Sequence, residues 1–545
     1  MNFFTVLAAA AFSGFLGLSY EILWVRVFSF ATGGTAASFG VVLGAFLLGL
    51  AAGSFASWGT CRLRPATGDA RHLRIPAALL LLGSVQAFLV IPALAWIVRT
   101  SSFSHALPLI SVVAASQGAV LPLLSQFGIR PDADAGARLS YLYLANILGS
   151  VSGSLLTGFV LLDRLSLTQV SRLMALLGIG LATALFAVSR PRARAFAAWG
   201  AIAGISACSV VASTPSLYSS LYEKLQFKHD YDPGWTFADV IETRSSVITV
   251  ERNGTVSGGG VYDGAINVDL LHDPNLVVRA YALAALHPDP RRVLMIGLSS
   301  GSWAQVIAHH PSLERLVVVE INPGYLKLIP KHPAVASLLV NPKVEIVIDD
   351  GRRWLRANPN ETFDAIVQNT SWHWRAHMTE LLSMEYLELV KHHLKPGGVF
   401  YYNTTWSLAA QKTGCTSFPF GLRFVNCLAV SESPLRFERA RWRSLLATYA
   451  IDGRPIFDMT NADHRARFEE VVRMGEPGPD EKGGRTRFFE PCASVLKWTR
   501  NEDLITDDNM EPEWYRPWWA IPDVSPSQGP AGGDVPDQPP ETTHG

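Results

Sequence analysis

Seven stretches of roughly 20 mostly apolar residues constrain this chain more than any other feature of it. They fall at about 2–24, 36–58, 75–98, 104–125, 139–162, 167–189 and 195–213. A bilayer core takes about 20 apolar residues per helix, so each stretch is long enough to cross. Short loops bearing Arg or Pro separate them, such as Cys61 to Arg74 and Arg190 to Arg194. Small residues recur at helix-packing intervals, in one series at Gly40, Gly44, Gly49 and Gly53 and in another at Gly149, Gly153 and Gly158. Such series suit helices that meet by close backbone approach in lipid. Seven soluble core helices would need polar faces that these segments lack. The chain therefore reads as a lipid-bilayer protein of a cell inner membrane. Its first apolar run has no basic residues before it and reads as the first span rather than a cleaved signal peptide.

Charge divides the chain at about residue 213. Upstream are 13 Arg, no Lys and five acidic residues (Glu21, Asp69, Asp132, Asp134 and Asp163), and downstream are 33 basic and 41 acidic residues. Balances of opposite sign mark two kinds of protein joined in one chain. No basic run or basic–aromatic patch points to nucleic acid. The five cysteines, Cys61, Cys208, Cys415, Cys427 and Cys492, show no CxxC and no His spacing suited to zinc. No metal site and no disulfide framework are expected, and a reducing compartment is the simpler reading. Glu21 and Arg26 lie near the end of the first span, where an ionisable group is a functional candidate. An interfacial pair at i, i+5 is the simpler explanation. Gln117 and Asn146 read as helix–helix hydrogen bonds, and no pair of broken segments marks an inverted-repeat transporter.

Beyond about residue 217 the pattern becomes that of an α/β protein. Val240-Ile241 and Val247 to Val250 read as short strands, and Val261 to Val268 as a pair crossing a turn at Asp263-Gly264. The run Arg291 to Gly297, the turn Leu298 to Ser302 and a helix from Trp303 to His309 form a strand, glycine turn and helix. Gly297 and Gly301 allow a tight turn close to a ligand, beside a helix N-terminus that offers unpaired N–H groups. Leu316 to Glu320 is a second buried strand ending in a carboxylate, placed to accept hydrogen bonds from the two ribose hydroxyls of a nucleoside. Further strands at Val344 to Ile348 and Phe363 to Val367 end in Asp349-Asp350-Gly351 and Gln368-Asn369-Thr370. A helix from about Glu380 to His393 stops at Lys395-Pro396-Gly397-Gly398, and Val399 to Asn403 follows as a strand. This alternation predicts a doubly wound, Rossmann-like parallel sheet with its ligand at the carboxyl ends of the strands. Trp406 to Trp498 is poorly periodic, apart from an amphipathic helix around Phe437 to Ala450.

The motif set from about 217 to 405, and more loosely to 514, resembles the spermidine synthase family, which has the class I methyltransferase fold. The resemblance rests on Tyr262-Asp263-Gly264, the glycine turn, Val319 to Pro323, Asp349-Asp350-Gly351, Phe363 to Val367 and Leu394 to Gly398. Leu504 to Asn509, Tyr20 to Trp24 and Ala145 to Gly149 are similar to segments of membrane-fused relatives. The resemblance implies that Glu320 binds the ribose and Asp350 the adenine amino group. It also implies that Gly297 and Gly301 hold the tail of S-adenosylmethionine or its decarboxylated form, with Ser300 and Gly351 in the same two loops. The chain departs from the family at Ser300, where an Asp is usual, and at Asn369, which aligns with the catalytic aspartate. It departs again at Asn275, Leu276 and Val277, which align with a Tyr-His-Glu cluster that helps hold the polyamine. Aminopropyl transfer needs a base to free the amine lone pair, and Asn369 cannot take a proton.

Ser371 to His377, with Trp372, His373, Trp374 and Arg375, occupies the place of a small-molecule acceptor. His373 is the first candidate for general base, with His377 behind it. In a second reading the loop packs on the membrane surface through its Trp residues.

These features predict a helical membrane domain of six to eight spans (1–213), a small β leader (214–289), a nucleoside-binding domain (290–515) and a disordered tail (516–545). They predict a transferase using S-adenosylmethionine or its decarboxylated form. Methyl transfer to a membrane-soluble acceptor and a catalytically silent nucleoside sensor are the rivals, and a homo-oligomer is left open. Arg62, Arg64, Arg71 and Arg74, then Arg130 and Arg138, then Arg190, Arg192 and Arg194 mark alternate loops as cytoplasmic. With seven spans that rule puts everything after residue 213 outside. A domain whose cofactor is made in the cytosol belongs inside, which favours a cytoplasmic second half and an even span count.

Overall fold

The computed structural model describes residues 3–63, 70–475 and 489–514. The segment 516–545 and Arg64 lie outside the described residues. The chain divides into two compact units, one of residues 1–236 with 242–247 and one of 237–241 with 248–545.

In the first unit the seven apolar stretches form helices Phe3–Ala31, Ala37–Leu63, Arg71–Thr100, Phe103–Gly128, Ala135–Arg164, Leu167–Val188 and Ala193–Leu217. By length and composition all seven are able to cross a membrane. The fourth is interrupted at Ala119, between Ala106–Gly118 and Val120–Gly128. Glycine sets two of the closest helix pairs. A Cβ at Gly149 or Gly153 would lie 1.8 or 2.2 Å from the carbonyl oxygens of Ala11 and Phe15 in the first helix. At Gly49 or Gly53 it would lie 2.3 or 1.9 Å from those of Ser111 and Ala115 in the fourth. Gly40 and Gly44, in contrast, face open space, so only part of the first small-residue series is used.

Asn146 donates to the carbonyl of Ala10 at 3.0 Å, as a helix–helix bond should, whereas Gln117 Oε1 is buried without a hydrogen-bond partner among the described residues. Glu21 and Arg26 do not pair. Arg26 donates to the carbonyls of Thr243 (2.6 Å) and Ser246 (3.4 Å), and Glu21 is buried with no polar partner among the described residues.

Residues 239–265 form a small four-stranded sheet, β1 (Asp239–Glu242), β2 (Val247–Val250), β3 (Thr255–Gly258) and β4 (Val261–Ala265), in chain order. The expected turn at Asp263-Gly264 is absent, because β4 continues through these residues with only a shift of register against β3. The reversal lies at Gly259-Gly260, both at positive φ, where the sequence offers two residues free to take a left-handed turn.

The main sheet has eight strands. Five are parallel: β5 (Arg292–Ile296), β6 (Arg315–Glu320), β7 (Val344–Ile348), β8 (Phe363–Gln368) and β9 (Leu394–Asn403), in the order β9-β8-β5-β6-β7. Alternate residues of these strands feed two separate cores. Val293, Met295, Leu316, Val318, Ala365 and Val367 face one, and Leu294, Ile296, Val317, Val319 and Ile366 face the other. Burial on both faces is why the strands read as unbroken apolar runs.

The expectation of a wholly parallel sheet needs correcting at one edge. There β10 (Phe420–Phe424), β11 (Cys427–Ser431) and the short strand Phe489–Pro491 add antiparallel to β9. Arg423 of β10 and Glu490 form an ion pair at 2.7 Å with both side chains almost fully buried. The helix expected from Glu380 begins later, at Met384, where the Ser383 side chain accepts the Tyr386 N–H and caps it.

The cysteines also differ from expectation. Cys415, in helix Leu408–Ser417, and Cys492, at the start of helix Cys492–Trp498, form a disulfide across 77 residues. Two cysteines that far apart in sequence carry no spacing signal. Cys61, Cys208 and Cys427 remain thiols.

Candidate functional site

The site is built at the carboxyl ends of the parallel strands, where loops leave the sheet. After β5 the chain turns at Gly297 (φ +89°), and a Cβ there would lie 2.4 Å from the carbonyl oxygen of Asn369, so only glycine lets the β5 and β8 exits pass. Gly301 (φ +81°) then starts helix Ser302–Ala308. The amides of this turn are already engaged. The Leu298 N–H donates to Glu320 Oε2 at 2.7 Å, and the Ser302 N–H to Ser300 Oγ at 3.4 Å. The expectation of an open helix terminus with spare N–H groups is therefore corrected for these two amides.

Glu320, at the end of β6, holds its carboxylate in place from both sides. Oε2 accepts from Leu298 and Oε1 from the Asn322 N–H, each at 2.7 Å. Each carboxylate oxygen keeps acceptor capacity for a second donor such as a ribose hydroxyl. Burial pushes the Glu320 carboxyl up to about 7, the two backbone donors oppose that rise, and the nearby Asp263 adds to it.

Asp263 of β4 accepts the Tyr325 hydroxyl, and its carbonyl accepts Ser299 Oγ at 2.7 Å. Burial raises its carboxyl, while Tyr325 and then the Arg375 guanidinium lower it. Arg375 also donates to the Gly258 carbonyl (3.0 Å) and to Ser371 Oγ (2.8 Å). The DG pair of the β leader, the β6 end and the loop after β8 thus surround one polar group of side chains.

Asp350 ends the β7 exit. Its side chain accepts the Arg353 N–H at 2.7 Å and caps helix Gly351–Ala357. Gly351 packs its backbone on Ile296, whose Cγ2 would lie 2.6 Å from an added Cβ. Ser300 Oγ donates to the Ala265 carbonyl at 2.9 Å, tying the glycine turn to the β leader.

Around Asn369 the side chains form a run of hydrogen-bonded amides. Asn369 Oδ1 accepts from Asn403 Nδ2 (3.1 Å), and Asn403 Oδ1 accepts from Asn426 Nδ2 (3.0 Å). Asn426 Oδ1 accepts from Arg279 (2.7 Å), and Arg279 also donates to the carbonyls of Asn275 (2.8 Å) and Leu276 (2.9 Å). The Arg279 guanidinium is buried and stacks over Trp303 at 5.5 Å. His373 joins the same network, because its Nδ1 pairs with Thr405 Oγ1 at 2.8 Å and the Thr405 N–H donates to Asn403. Trp372 donates to the Tyr262 carbonyl at 3.2 Å and stacks near Trp374. His377 instead points outward, exposed and paired with Glu380.

Backbone strain gathers here too. Ser299, His377, Thr405 and Trp406 all adopt positive φ just beyond the ends of β5, β8 and β9, a cost that surrounding structure must sustain.

Residues 281–413 match the spermine/spermidine synthase domain. That match includes every site residue from Gly297 to His373 and leaves Asp263 and Asn275 upstream of it. Polyamine aminopropyltransferase 2 of Streptomyces coelicolor is 27% identical, over 72% of this chain and 72% of its own length. The polyamine aminopropyltransferase of Mycobacterium tuberculosis is also 27% identical, over 72% of this chain and 76% of its own. A share of 72% of 545 residues is more than the second unit contains, so both alignments extend into the helical unit. Among solved structures, spermidine synthase from Thermotoga maritima matches with 18% identity and a TM-score of 0.31, over 45% of this chain and 86% of its own.

Five residues around these loops escaped sequence reasoning as site groups. Tyr325 lies in a short helix with no motif to mark it. Arg279 and Asn426 come together from positions 147 residues apart. Glu513 likewise accepts the N–H groups of His377 (2.9 Å) and Thr379 (2.8 Å), fixing the far end of the loop after β8. Asp507, in the closing motif, accepts from Arg352 (2.8 Å) and Ser383 (2.7 Å).

Proposed function

We propose that the second unit binds S-adenosylmethionine or its decarboxylated form and transfers a group from the sulfonium to a small-molecule acceptor. We also propose that the seven apolar helices hold it in a membrane. The observation that carries the ligand reading is Glu320, a buried carboxylate clamped between the glycine turn and its own strand end with acceptor capacity to spare. The names of the relatives favour aminopropyl transfer within this reading.

In that reading the ribose hydroxyls donate to Glu320, Asp350 meets the adenine amino group, and the tail of the nucleoside lies along Gly297 to Gly301. An acceptor nucleophile beside Trp372 and His373 attacks the carbon next to the sulfonium. The carbon–sulfur bond breaks, its electron pair stays on sulfur as a neutral thioether, and the acceptor's proton passes to His373. Thr405 holds the Nδ1 edge of that imidazole. Asn369 orients rather than deprotonates, since an amide has no basic site in this range.

A second reading of the acceptor rests on Arg279. A buried guanidinium hydrogen-bonded to neutral amide groups, where the polyamine-binding cluster is lost, disfavours a polycation and favours a neutral or anionic acceptor, although the Asp273 carboxyl also lies within its field. Methyl transfer from the carboxylated nucleoside, or binding without turnover, fits that environment.

Calorimetric titration of the detergent-solubilised chain with S-adenosylmethionine, its decarboxylated form and methylthioadenosine separates these cases. Tighter binding of the decarboxylated form supports aminopropyl transfer, and tighter binding of the carboxylated form supports methyl transfer. Binding of none by folded protein would overturn the nucleoside reading.

A further inference from the structure

The two ends of the helical unit differ in charge, and the chain leaves it from the end poor in arginine. At one end Gln126 Nε2 donates to the Cys61 carbonyl (3.4 Å) and Arg74 Nε to Ser189 Oγ (3.2 Å). These bonds gather the second–third, fourth–fifth and sixth–seventh loops. Arg62, Arg71, Arg74, Arg130, Arg138, Arg190, Arg192 and Arg194 all belong to this end.

The other end holds the segments that follow the seventh helix. Arg26, near the end of the first helix, donates to Thr243 and Ser246. The Leu167 N–H donates to Glu242 (2.7 Å), and the Arg244 N–H to Asp163 (2.8 Å). Arg99, at the end of the third helix, lies 4.9 Å from the centre of the Tyr231 ring. Of the helical region's described arginines, only Arg26, Arg99, Arg164 and Arg172 lie toward this end. The helices therefore alternate, and residues after 217 emerge opposite the arginine-rich loops. Arginine-rich short loops stay in the cytoplasm. Independently, the second unit carries the Cys415–Cys492 disulfide, a bond that persists in oxidising compartments and is rare in the cytosol.

We infer that the nucleoside-binding unit lies outside the cytoplasm, so that an export step must deliver its nucleoside. The placement rests on reading the seven helices as membrane spans, and the export step rests additionally on the proposed ligand. Both arguments run against the cytoplasmic side favoured by where such cofactors are made. The side follows from the seventh helix alone once the loop of Arg190, Arg192 and Arg194 is inside, whatever precedes the first helix.

Side-specific thiol labelling of the full chain tests this. Cys61 and Cys208 are replaced by Ser, and a single new thiol is introduced by Ala193→Cys or by Asn360→Cys, both at exposed positions. Intact spheroplasts are treated with a membrane-impermeant maleimide. The inference predicts at least tenfold more labelling of the Asn360→Cys chain than of the Ala193→Cys chain, with the difference lost on permeabilisation. The reverse pattern in membrane-bound protein would overturn the placement while leaving the spans intact. Recovery of the chain in the soluble fraction would overturn the spans, and the placement with them. Nucleoside binding, measured on purified protein, is independent of side, so its failure removes only the export step.

Discussion

Glu320 Oε2 accepts the backbone N–H of Leu298 at 2.7 Å, so the carboxylate at the end of one strand holds the glycine turn that leaves its neighbour. Because burial pushes this carboxyl up to about 7, its charge state changes across the physiological range. A ribose hydroxyl donates to the carboxylate, and protonation removes that acceptor. Affinity for methylthioadenosine should be flat above pH 7 and weaken toward about tenfold per unit below it. Calorimetry between pH 5.5 and 8.5 measures this. For folding alone the sign is the opposite. A carboxyl raised above its ordinary value stabilises the unit fully at low pH, and that contribution is lost as pH rises through 7.

His373 and Asn369 share one hydrogen-bond network but differ in what they can do with a proton. His373→Ala should lower turnover by about 10²- to 10⁴-fold, the usual range for a general base, with nucleoside affinity nearly unchanged. Asn369→Asp should raise weak activity toward a primary amine such as putrescine. Steady-state rates with binding measured alongside separate the two effects. Normal turnover in His373→Ala would make the Trp372 to His377 loop a lid rather than a source of chemistry.

The disulfide closes a 77-residue loop, for which chain entropy gives about 4.5 kcal/mol, at the upper end of the range of roughly 0–5 for such bonds. The double replacement Cys415→Ser with Cys492→Ser should lower the Tm of the detergent-solubilised chain by several degrees. Reductant should lower the wild-type Tm to the same value and leave the variant unmoved.

Arg423 and Glu490 form the most deeply buried ion pair described. Arg423→Met leaves the Glu490 charge buried with its cation removed, at a cost of about 3–5 kcal/mol. Arg423→Met with Glu490→Leu should recover most of that loss. Thermal unfolding of the single and double variants measures the recovery.

Much of this arrangement is legible in the residues. The parallel strands announce themselves because burial on both faces leaves runs such as Leu316 to Val319 without polar interruption, each ending where a loop can hold a ligand group. Glu320, Asp350 and Asn369 are visible for the same reason. Other features depend on contacts with no local signature. Asp263-Gly264 looks like a turn, yet the Gly259-Gly260 pair just upstream makes the reversal and β4 carries Asp263 to Tyr325. Arg279 and Asn426, Cys415 and Cys492, and Glu513 and Thr379 meet only because the antiparallel edge and the closing segment fold back on the sheet. The Glu21–Arg26 pairing fails because Arg26 finds carbonyls far along the chain.

Glu320→Ala is the most direct test of the nucleoside site. Two charge-assisted hydrogen bonds to a ribose, each worth roughly 1.5–3 kcal/mol, depend on this carboxylate. Calorimetric titration of wild-type and Glu320→Ala protein with methylthioadenosine at pH 8, where the group is ionised, should show affinity falling by about tenfold or more in a variant that remains folded. Equal affinity in the folded variant would contradict a nucleoside at the end of β6.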